Sequence, residues 1–240
     1  MFSELYVAAS GMVARQQQME VLSHNLANLN SVGFKVEELL LEETRIQSSW
    51  GAFACPSQVR VAGRRTDFSP GELQMTGDPL DVALGSAGFF VVQSQDGIRF
   101  TRDGRFSLDA EGRLVLGGMP VLAEQGEIKA GRGVAVRIEP DGQVVSENGP
   151  VGRLRVVVPQ NPSMMEKTGE GLYKAGDELQ LQDDPNPRVF PGYLEVSNTN
   201  GVRCMVQIIE AVRGFEMHQR MLQVVDRLGE KAVQELGRTA

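Results

Sequence analysis

The chain has 240 residues, of which 41% are hydrophobic, enough apolar material for one or two domains with a sizeable core. Its formal net charge of −7 disfavours binding to nucleic-acid phosphates and to anionic membrane surfaces. No uncharged apolar run approaches the roughly 18 residues that a transmembrane helix requires.

The first region, from Phe2 to about Asn30, has the apolar spacing of an amphipathic helix. Heptad spacing places its apolar residues on one stripe, which suits contact with a partner helix. Glu4 stands where a secretory signal would carry basic residues, so we expect no conventional cleaved signal peptide. The stripe consists of Leu5, Ala8, Met12, Met19, Leu22, Leu26 and Leu29.

Between Val32 and Val61 the apolar residues follow neither helical nor strand spacing clearly. Glu37 to Arg45 is polar and compatible with a helix, whereas Ser48 to Pro56 is predicted to be an irregular linker. The two cysteines, Cys55 and Cys204, cannot form a disulfide framework and do not belong to a metal-binding pattern. We therefore favour two free thiols over one bridge.

The middle of the chain, from about Gly63 to Leu194, predicts an antiparallel β domain. Short apolar runs alternate there with turn dipeptides, which are the strongest local hairpin signal. Strands about ten residues apart with such turns do not fit alternating βαβ units. The dipeptides are Asp96-Gly97, Asp103-Gly104, Glu111-Gly112 and Asp141-Gly142.

The last region, from about Val202 to Leu236, predicts a helix about 50 Å long. Two heptad helices at opposite ends of one chain favour a coiled coil, within a subunit or between subunits. The fold class is therefore α+β, with a discontinuous helical domain (1–62 with its linker, plus 195–240) and a central β domain (63–194). The second stripe runs through Cys204, Ile208, Ala211, Phe215, His218, Leu222, Val225, Ala232 and Leu236.

The sequence offers no pattern for chemistry on a substrate, so we expect no catalytic, cofactor-binding or metal-binding residues and no cofactor. The Asp residues of the turns already accept backbone hydrogen bonds locally. Gly131-Arg132-Gly133 lacks the third glycine of a dinucleotide fingerprint. His218 lies on the second stripe, where a packed or hydrogen-bonded interface role is more common than a catalytic one, and His24 lies near the end of the first helix. The chain is predicted not to be an enzyme.

Three motifs resemble those of flagellar rod and hook proteins, and they follow the family order over nearly the whole chain. Ser23 to Lys35 is similar to N-N-[LI]-A-N-x-x-T-x-G-[FY]-K. Gly77 to Phe106 is similar to N-x-L-D-x-A…G-F-F-x-V…[FY]-T-R-x-G-x-F, and Gly192 to Asn200 to G-x-L-E-x-S-N-V-x. His24, Ser31 and Thr199 replace the usual Asn, Thr and Val.

The resemblance implies a structural subunit of the bacterial flagellar basal-body rod, which is needed for motility. The run from Arg213 to Met221 resembles the proximal-rod members of the family more than the distal-rod members. Implied partners are other rod subunits, hook-proximal proteins and the flagellar type III export apparatus, and the implied location is the periplasmic rod. Argued without the family, the alternatives are a β-domain binding module that dimerises through a coiled coil and an enzyme with a carboxylate site.

Assembly is expected to run through the stripes of the terminal helices. The predicted interface also includes Asn25 and Asn28, because asparagine side chains can hydrogen-bond to unpaired backbone groups where a helix ends. Ser197 and Asn198 are expected to cap the second helix. The predicted interface residues are Leu5, Met12, Met19, Leu22, Leu26, Asn25, Asn28, Ile208, Phe215, Leu222 and Val225.

Overall fold

The computed structural model describes residues 2–45, 57–176 and 179–238. The chain divides into two compact units. The helical unit comprises Met1–Ala27, Glu37–Arg65 and Asn200–Ala240. The β unit comprises Asn28–Val36 and Thr66–Thr199. Each unit thus combines segments that are separated in the sequence.

The helical unit contains two long helices and a two-stranded ribbon. Helix α1 covers Phe2–Ala27, and helix α2 covers Gly201–Arg238. Strands β1 (Glu37–Arg45) and β2 (Ser57–Thr66) hydrogen-bond to each other as the ribbon. Neither helix, over its described residues, is long and apolar enough to cross a membrane.

The interpretation of Glu37 to Arg45 as a helix is wrong, because this segment is β1. Its Glu and Leu residues have good helix propensity, but pairing with β2 decides the conformation. The Arg65 guanidinium of β2 donates to the Glu38 carboxylate of β1 at 2.7 Å, which adds a cross-strand ion pair. The predicted linker, Ser48 to Pro56, lies outside the described residues.

The β unit is built from short strands, and all of its described strand pairings are antiparallel. A single 3-10 turn, Pro162–Met164, interrupts its described strands. The strands are β3 (Leu73–Met75), β4 (Val82–Leu84), β5 (Phe89–Ser94), β6 (Gly97–Thr101), β7 (Ser107–Leu108), β8 (Leu114–Leu116), β9 (Met119–Pro120), β10 (Leu122–Ala123), β11 (Gly126–Glu127), β12 (Val136–Ile138), β13 (Gln143–Ser146), β14 (Gly149–Arg153), β15 (Val156–Pro159), β16 (Met165–Gly169), β17 (Leu172–Ala175), β18 (Leu181–Asp183), β19 (Val189–Pro191) and β20 (Tyr193–Glu195).

The largest sheet has six strands in the order β16-β17-β6-β5-β15-β18. Strand β5 is central, and Phe89 to Val92 are fully buried because alternate side chains enter two different apolar clusters. Phe90 and Val92 join the larger cluster, whereas Phe89 and Val91 pack with Tyr173. The β unit therefore has its own core.

Three of the four turn dipeptides join adjacent paired strands, as predicted. Asp96-Gly97 connects β5 to β6, Glu111-Gly112 connects β7 to β8, and Asp141-Gly142 connects β12 to β13. Asp103-Gly104 instead links strands of two different sheets. A side chain on Gly104 would collide with the Val82 carbonyl oxygen, so glycine is needed there for close backbone approach.

The α+β class and the antiparallel β region are confirmed. The coiled-coil geometry expected of the helices stays a prediction, as does the domain division at 62/63 and 194/195.

Candidate assembly interface

Helices α1 and α2 run antiparallel along each other in the helical unit. Near the end of α1 and the start of α2, the Cys204 thiol donates to the Leu22 carbonyl oxygen at 3.1 Å. Farther along, a Cβ built on Gly11 would lie 2.8 Å from the His218 ring. Contacts therefore pair earlier residues of α1 with later residues of α2.

The seam between the helices contains a small apolar core. Leu22, Cys204 and Ala211 are buried, and Met19, Leu26 and Ile208 pack against them. Burying one leucine contributes roughly 1.5–3 kcal/mol relative to exposure, so this cluster holds the pair together. Burial also raises the pKa of the Cys204 thiol above its ordinary value.

The structure places most of the predicted stripe residues on the sides of the helices that face each other. Met19, Leu22, Leu26 and Ile208 belong to the seam cluster. Leu5 lies in α1 outside the described side chains. The remaining stripe residues of the predicted interface are half-buried: Met12, Phe215, Leu222 and Val225.

The first partner of each stripe is consequently the other helix of the same chain. This arrangement is one of the two that the sequence left open. A direct role of these residues in contacts between subunits stays a prediction.

A second apolar face on α2 was missed by the sequence reasoning. It is exposed and lies away from the seam. In the first half of α2 it comprises Val202, Met205, Val206, Ile209 and Val212, with Val202 75% exposed. In the second half it comprises Met217, Met221, Val224 and Leu228, with Met217 68% exposed. The 4-3-4 spacing of the last four was a signal that could have revealed this face.

Asn25 ties the end of α1 to the start of the ribbon. Its side-chain amide donates to the Glu37 carbonyl oxygen at 2.8 Å, and its Oδ1 accepts from the Glu37 N–H at 3.0 Å. Asn25 is 1% exposed, so these two hydrogen bonds take the place of hydrogen bonds to water for the Asn25 side chain and the Glu37 backbone. Asn28, in the β unit, accepts a hydrogen bond from the Ser31 hydroxyl at 3.0 Å. Both asparagines therefore hydrogen-bond to residues of their own unit.

The prediction that Ser197 and Asn198 cap α2 is wrong. Asn200 is the capping residue, because its Oδ1 accepts from the Arg203 N–H at 2.9 Å. Ser197 instead bonds Thr199. The Asn198 side chain, within the β unit, accepts from the Val36 N–H at 2.8 Å and donates to the Asp67 carbonyl oxygen at 3.0 Å. Asn198 thus joins three separate segments of that unit.

The β unit also contains a buried charge cluster of Lys35, Arg102 and Glu195. The Glu195 carboxylate accepts from Lys35 Nζ at 2.6 Å and from Arg102 Nη1 at 3.2 Å. Their side chains are no more than 3% exposed. Burial lowers the pKa of both the Lys35 ammonium and the Arg102 guanidinium, and the Glu195 carboxylate opposes that shift.

The backbone around this cluster is equally tight. Gly33 has φ of +66°, and a Cβ there would lie 2.5 Å from backbone atoms of Arg102 and Asp103. The Gly71 N–H donates to the Glu195 carboxylate at 2.8 Å. The three motifs that suggested the family thus meet here: Gly33 and Lys35 from the first, Arg102 from the second and Glu195 from the third.

The charge cluster is well suited to holding the terminal segments of the β unit in place. Within the described ranges, no group of three His, Cys, Asp or Glu side chains is placed to hold a metal ion.

Comparison with known proteins covers both ends and the middle of the chain. Residues 5–35 match the model described as flagella basal body rod protein. Residues 83–146 match the flagellar hook protein FlgE/F/G D1 domain, and residues 191–235 match the flagellar basal body rod FlgEFG protein C-terminal model. The flagellar basal-body rod protein FlgF of Caulobacter vibrioides is 32% identical over 243 residues, covering 99% of each chain. The chain belongs to the flagellar basal-body rod protein family.

Other members of this rod family align with similar coverage. FlgF of Escherichia coli is 32% identical over 92% of this chain and 93% of its own length. FlgG of Buchnera aphidicola subsp. Schizaphis graminum is 31% identical over 98% of this chain and 100% of its own. The rod-family match therefore includes both the helical and the β regions.

Proposed function

We propose that this chain is a structural subunit of the proximal part of the flagellar basal-body rod, and that its α1–α2 pair is the module through which it assembles. It is placed in the periplasmic part of the basal body after export by the flagellar type III apparatus. Its neighbours are other rod subunits and hook-proximal proteins.

The observation that carries the proposal is the uncovered apolar face of α2. One side of this helix already packs on α1, yet nine large hydrophobic side chains among the described ones elsewhere on it remain exposed. Their exposed fractions range from 39% for Val212 to 75% for Val202, and they follow the described length of α2. Such a surface is expected to be covered by protein in the assembled state.

The similarity to FlgF of two bacteria supports the proximal position. The alternative is a distal-rod subunit, which the FlgG similarity favours. A coiled-coil binding module would dimerise at a fixed stoichiometry, whereas a rod subunit stays monomeric or polymerises.

The test is to delete the gene, restore it with an epitope inserted at the exposed Gly117-Gly118 turn, and isolate basal bodies. We expect the deletion to abolish motility and the tagged chain to restore it and to appear in the rod by immunogold labelling. Label at the hook-proximal end would favour the distal-rod alternative. A motile deletion strain, or basal bodies without the tag, would refute the proposal.

A further inference from the structure

A groove lined mainly by apolar side chains, with Ser10, Gln17 and Arg60 as its polar residues, lies along the side of α1 that is turned away from α2. Its walls are α1 from Ala9 to Gln17 and β2 from Val59 to Val61, and its volume is about 340 Å³. Val13 and Val59 are 55% and 39% exposed there. This volume lies at the lower end of the range found for binding pockets, so the groove can receive side chains.

The groove cannot be filled by α2 of the same chain. At about 100° per residue, Val13 and Gln17 lie roughly 120–180° around α1 from Met19 and Leu26, which pack in the seam with α2. A copy of α2 that enters this groove must therefore belong to another molecule.

The second half of α2 has the shape that the groove requires. Met217, Met221, Val224 and Leu228, here termed the outer ridge, follow a 4-3-4 spacing and lie about 80–160° around α2 from Ala211 and Leu222. This is the spacing of side chains that insert as knobs between the residues of a facing helix. The ridge spans about 16 Å along its helix, and the α1 wall of the groove about 12 Å.

Size and chemistry also match. The α1 wall carries the small side chains of Ala9, Ser10 and Ala14, which let another helix approach closely. Methionine side chains are unbranched and adapt to irregular gaps, so the two ridge methionines suit such a wall.

We propose that the outer ridge of α2 docks into the α1–β2 groove of a second copy of this chain. This inference rests on the proposed function and states how its helical units join. Because the ridge and the groove are different surfaces of one molecule, the contact is heterologous. It leaves a free groove at one end and a free ridge at the other, so it propagates instead of closing after two copies. A ridge-to-ridge contact about a two-fold axis would stop at a dimer.

The experiment is disulfide cross-linking in basal bodies from motile cells, with Cys55→Ser as the parent. The test variant carries Val13→Cys in the groove and Met221→Cys on the ridge. Since each copy then carries both halves of the contact, oxidation is expected to give dimers, trimers and larger species that reducing agent collapses to monomer. Neither single variant, nor the parent with its buried Cys204, should give them.

The matched control is Val13→Cys with Gln223→Cys, because Gln223 is exposed on the other flank of the same helix. We expect loss of the ladder in this control. Dimers from Met221→Cys alone would show that ridge meets ridge and would overturn the inference. The inference would also be overturned if the test variant gave no cross-linked species in rods that contain the chain. A cross-link from Met221→Cys to a different rod protein would overturn the choice of a second copy. Basal bodies that lack the chain altogether would refute the proposed function and this inference with it.

Discussion

Replacing Glu195 by glutamine tests whether the buried charge cluster holds the β unit together. The carboxylate accepts three hydrogen bonds, from Lys35, Gly71 and Arg102. Glutamine has nearly the same shape but lacks the charge, and its NH2 group would face a cation or another N–H. Two buried cations would then have no anion within hydrogen-bond distance at that position.

The expected cost follows from burial. Breaking a buried ion pair by neutralising one partner typically costs about 3–5 kcal/mol, because a charge is left without compensation. For a unit of this size that corresponds to a fall in melting temperature of about 10 °C. Since the larger apolar core does not include the cluster, the variant should still fold at low temperature.

The assay is thermal denaturation of the full chain followed by near-ultraviolet circular dichroism. Tyr173 is fully buried against Phe68 and Phe89 in the β unit, so its signal reports on the packing of that unit. Glu72→Gln is the matched control, because Glu72 is exposed, and it should change the stability by less than about 0.5 kcal/mol.

A double-mutant cycle sharpens the test. In a Lys35→Met background, Glu195→Gln should cost less than it does in the natural chain, because one cation fewer is left without its partner. Melting temperatures of Glu195→Gln and the natural chain within 2 °C of each other, or strictly additive effects in the cycle, would refute the reasoning.

Two further predictions concern single residues. Gly33→Ala should destabilise the β unit by at least about 2 kcal/mol in chemical denaturation, because the strain of a left-handed backbone adds to the collision with Arg102. Gly77 also has a positive φ but faces open space, so Gly77→Ala should cost only the backbone strain. In a Cys55→Ser background, Cys204 should react with iodoacetamide at pH 8 far more slowly in the native chain than in urea, because burial blocks access and a raised pKa lowers the thiolate fraction. Equal destabilisation by both alanines, or equal rates with and without urea, would contradict these expectations.

The helices were predictable because their signal is local. Heptad spacing identified both stripes, and the structure turns those sides of α1 and α2 toward each other. The boundary near Asn30 was too late by about three residues, since α1 ends at Ala27 and Asn28 begins a turn. The outer ridge was not predicted because only one apolar stripe was assigned to each helix, although a helix that touches two partners needs two.

The charge cluster could not be found from the sequence. Lys35, Arg102 and Glu195 each fall in a family-like motif, but Lys35 and Glu195 are 160 residues apart, and spacing gives no information about such a contact. Strand β1 was missed for a different reason. Its Glu- and Leu-rich sequence favours a helix locally, and only pairing with β2 shows otherwise.

Adjacent positions on α2 separate the two roles of that helix. Leu222 is half-buried on the side facing α1, whereas Met221 is 49% exposed on the outer ridge. Leu222→Asp should place a carboxylate in the seam and remove apolar packing, which costs about 2–5 kcal/mol and loosens the α1–α2 pair. Leu26→Asp should do the same from the other helix. Alkylation of Cys204 would report this, because opening the pair exposes the thiol.

Met221→Asp should leave the pair intact, since exposed substitutions usually change stability by no more than about 0.5 kcal/mol. Cys204 should remain protected, yet motility should be lost, because in the assembled rod the carboxylate would replace a methionine in a mostly apolar contact, where burying a charge is costly. Gln223→Asp, also exposed on α2, should complement a deletion strain as well as the natural chain does. Full motility with Met221→Asp would mean that the outer ridge is not an assembly surface. An α1–α2 pair that is opened at its seam cannot hold the outer ridge and the groove in fixed positions. Full motility with both Leu26→Asp and Leu222→Asp would therefore mean that the stripes are not needed for assembly.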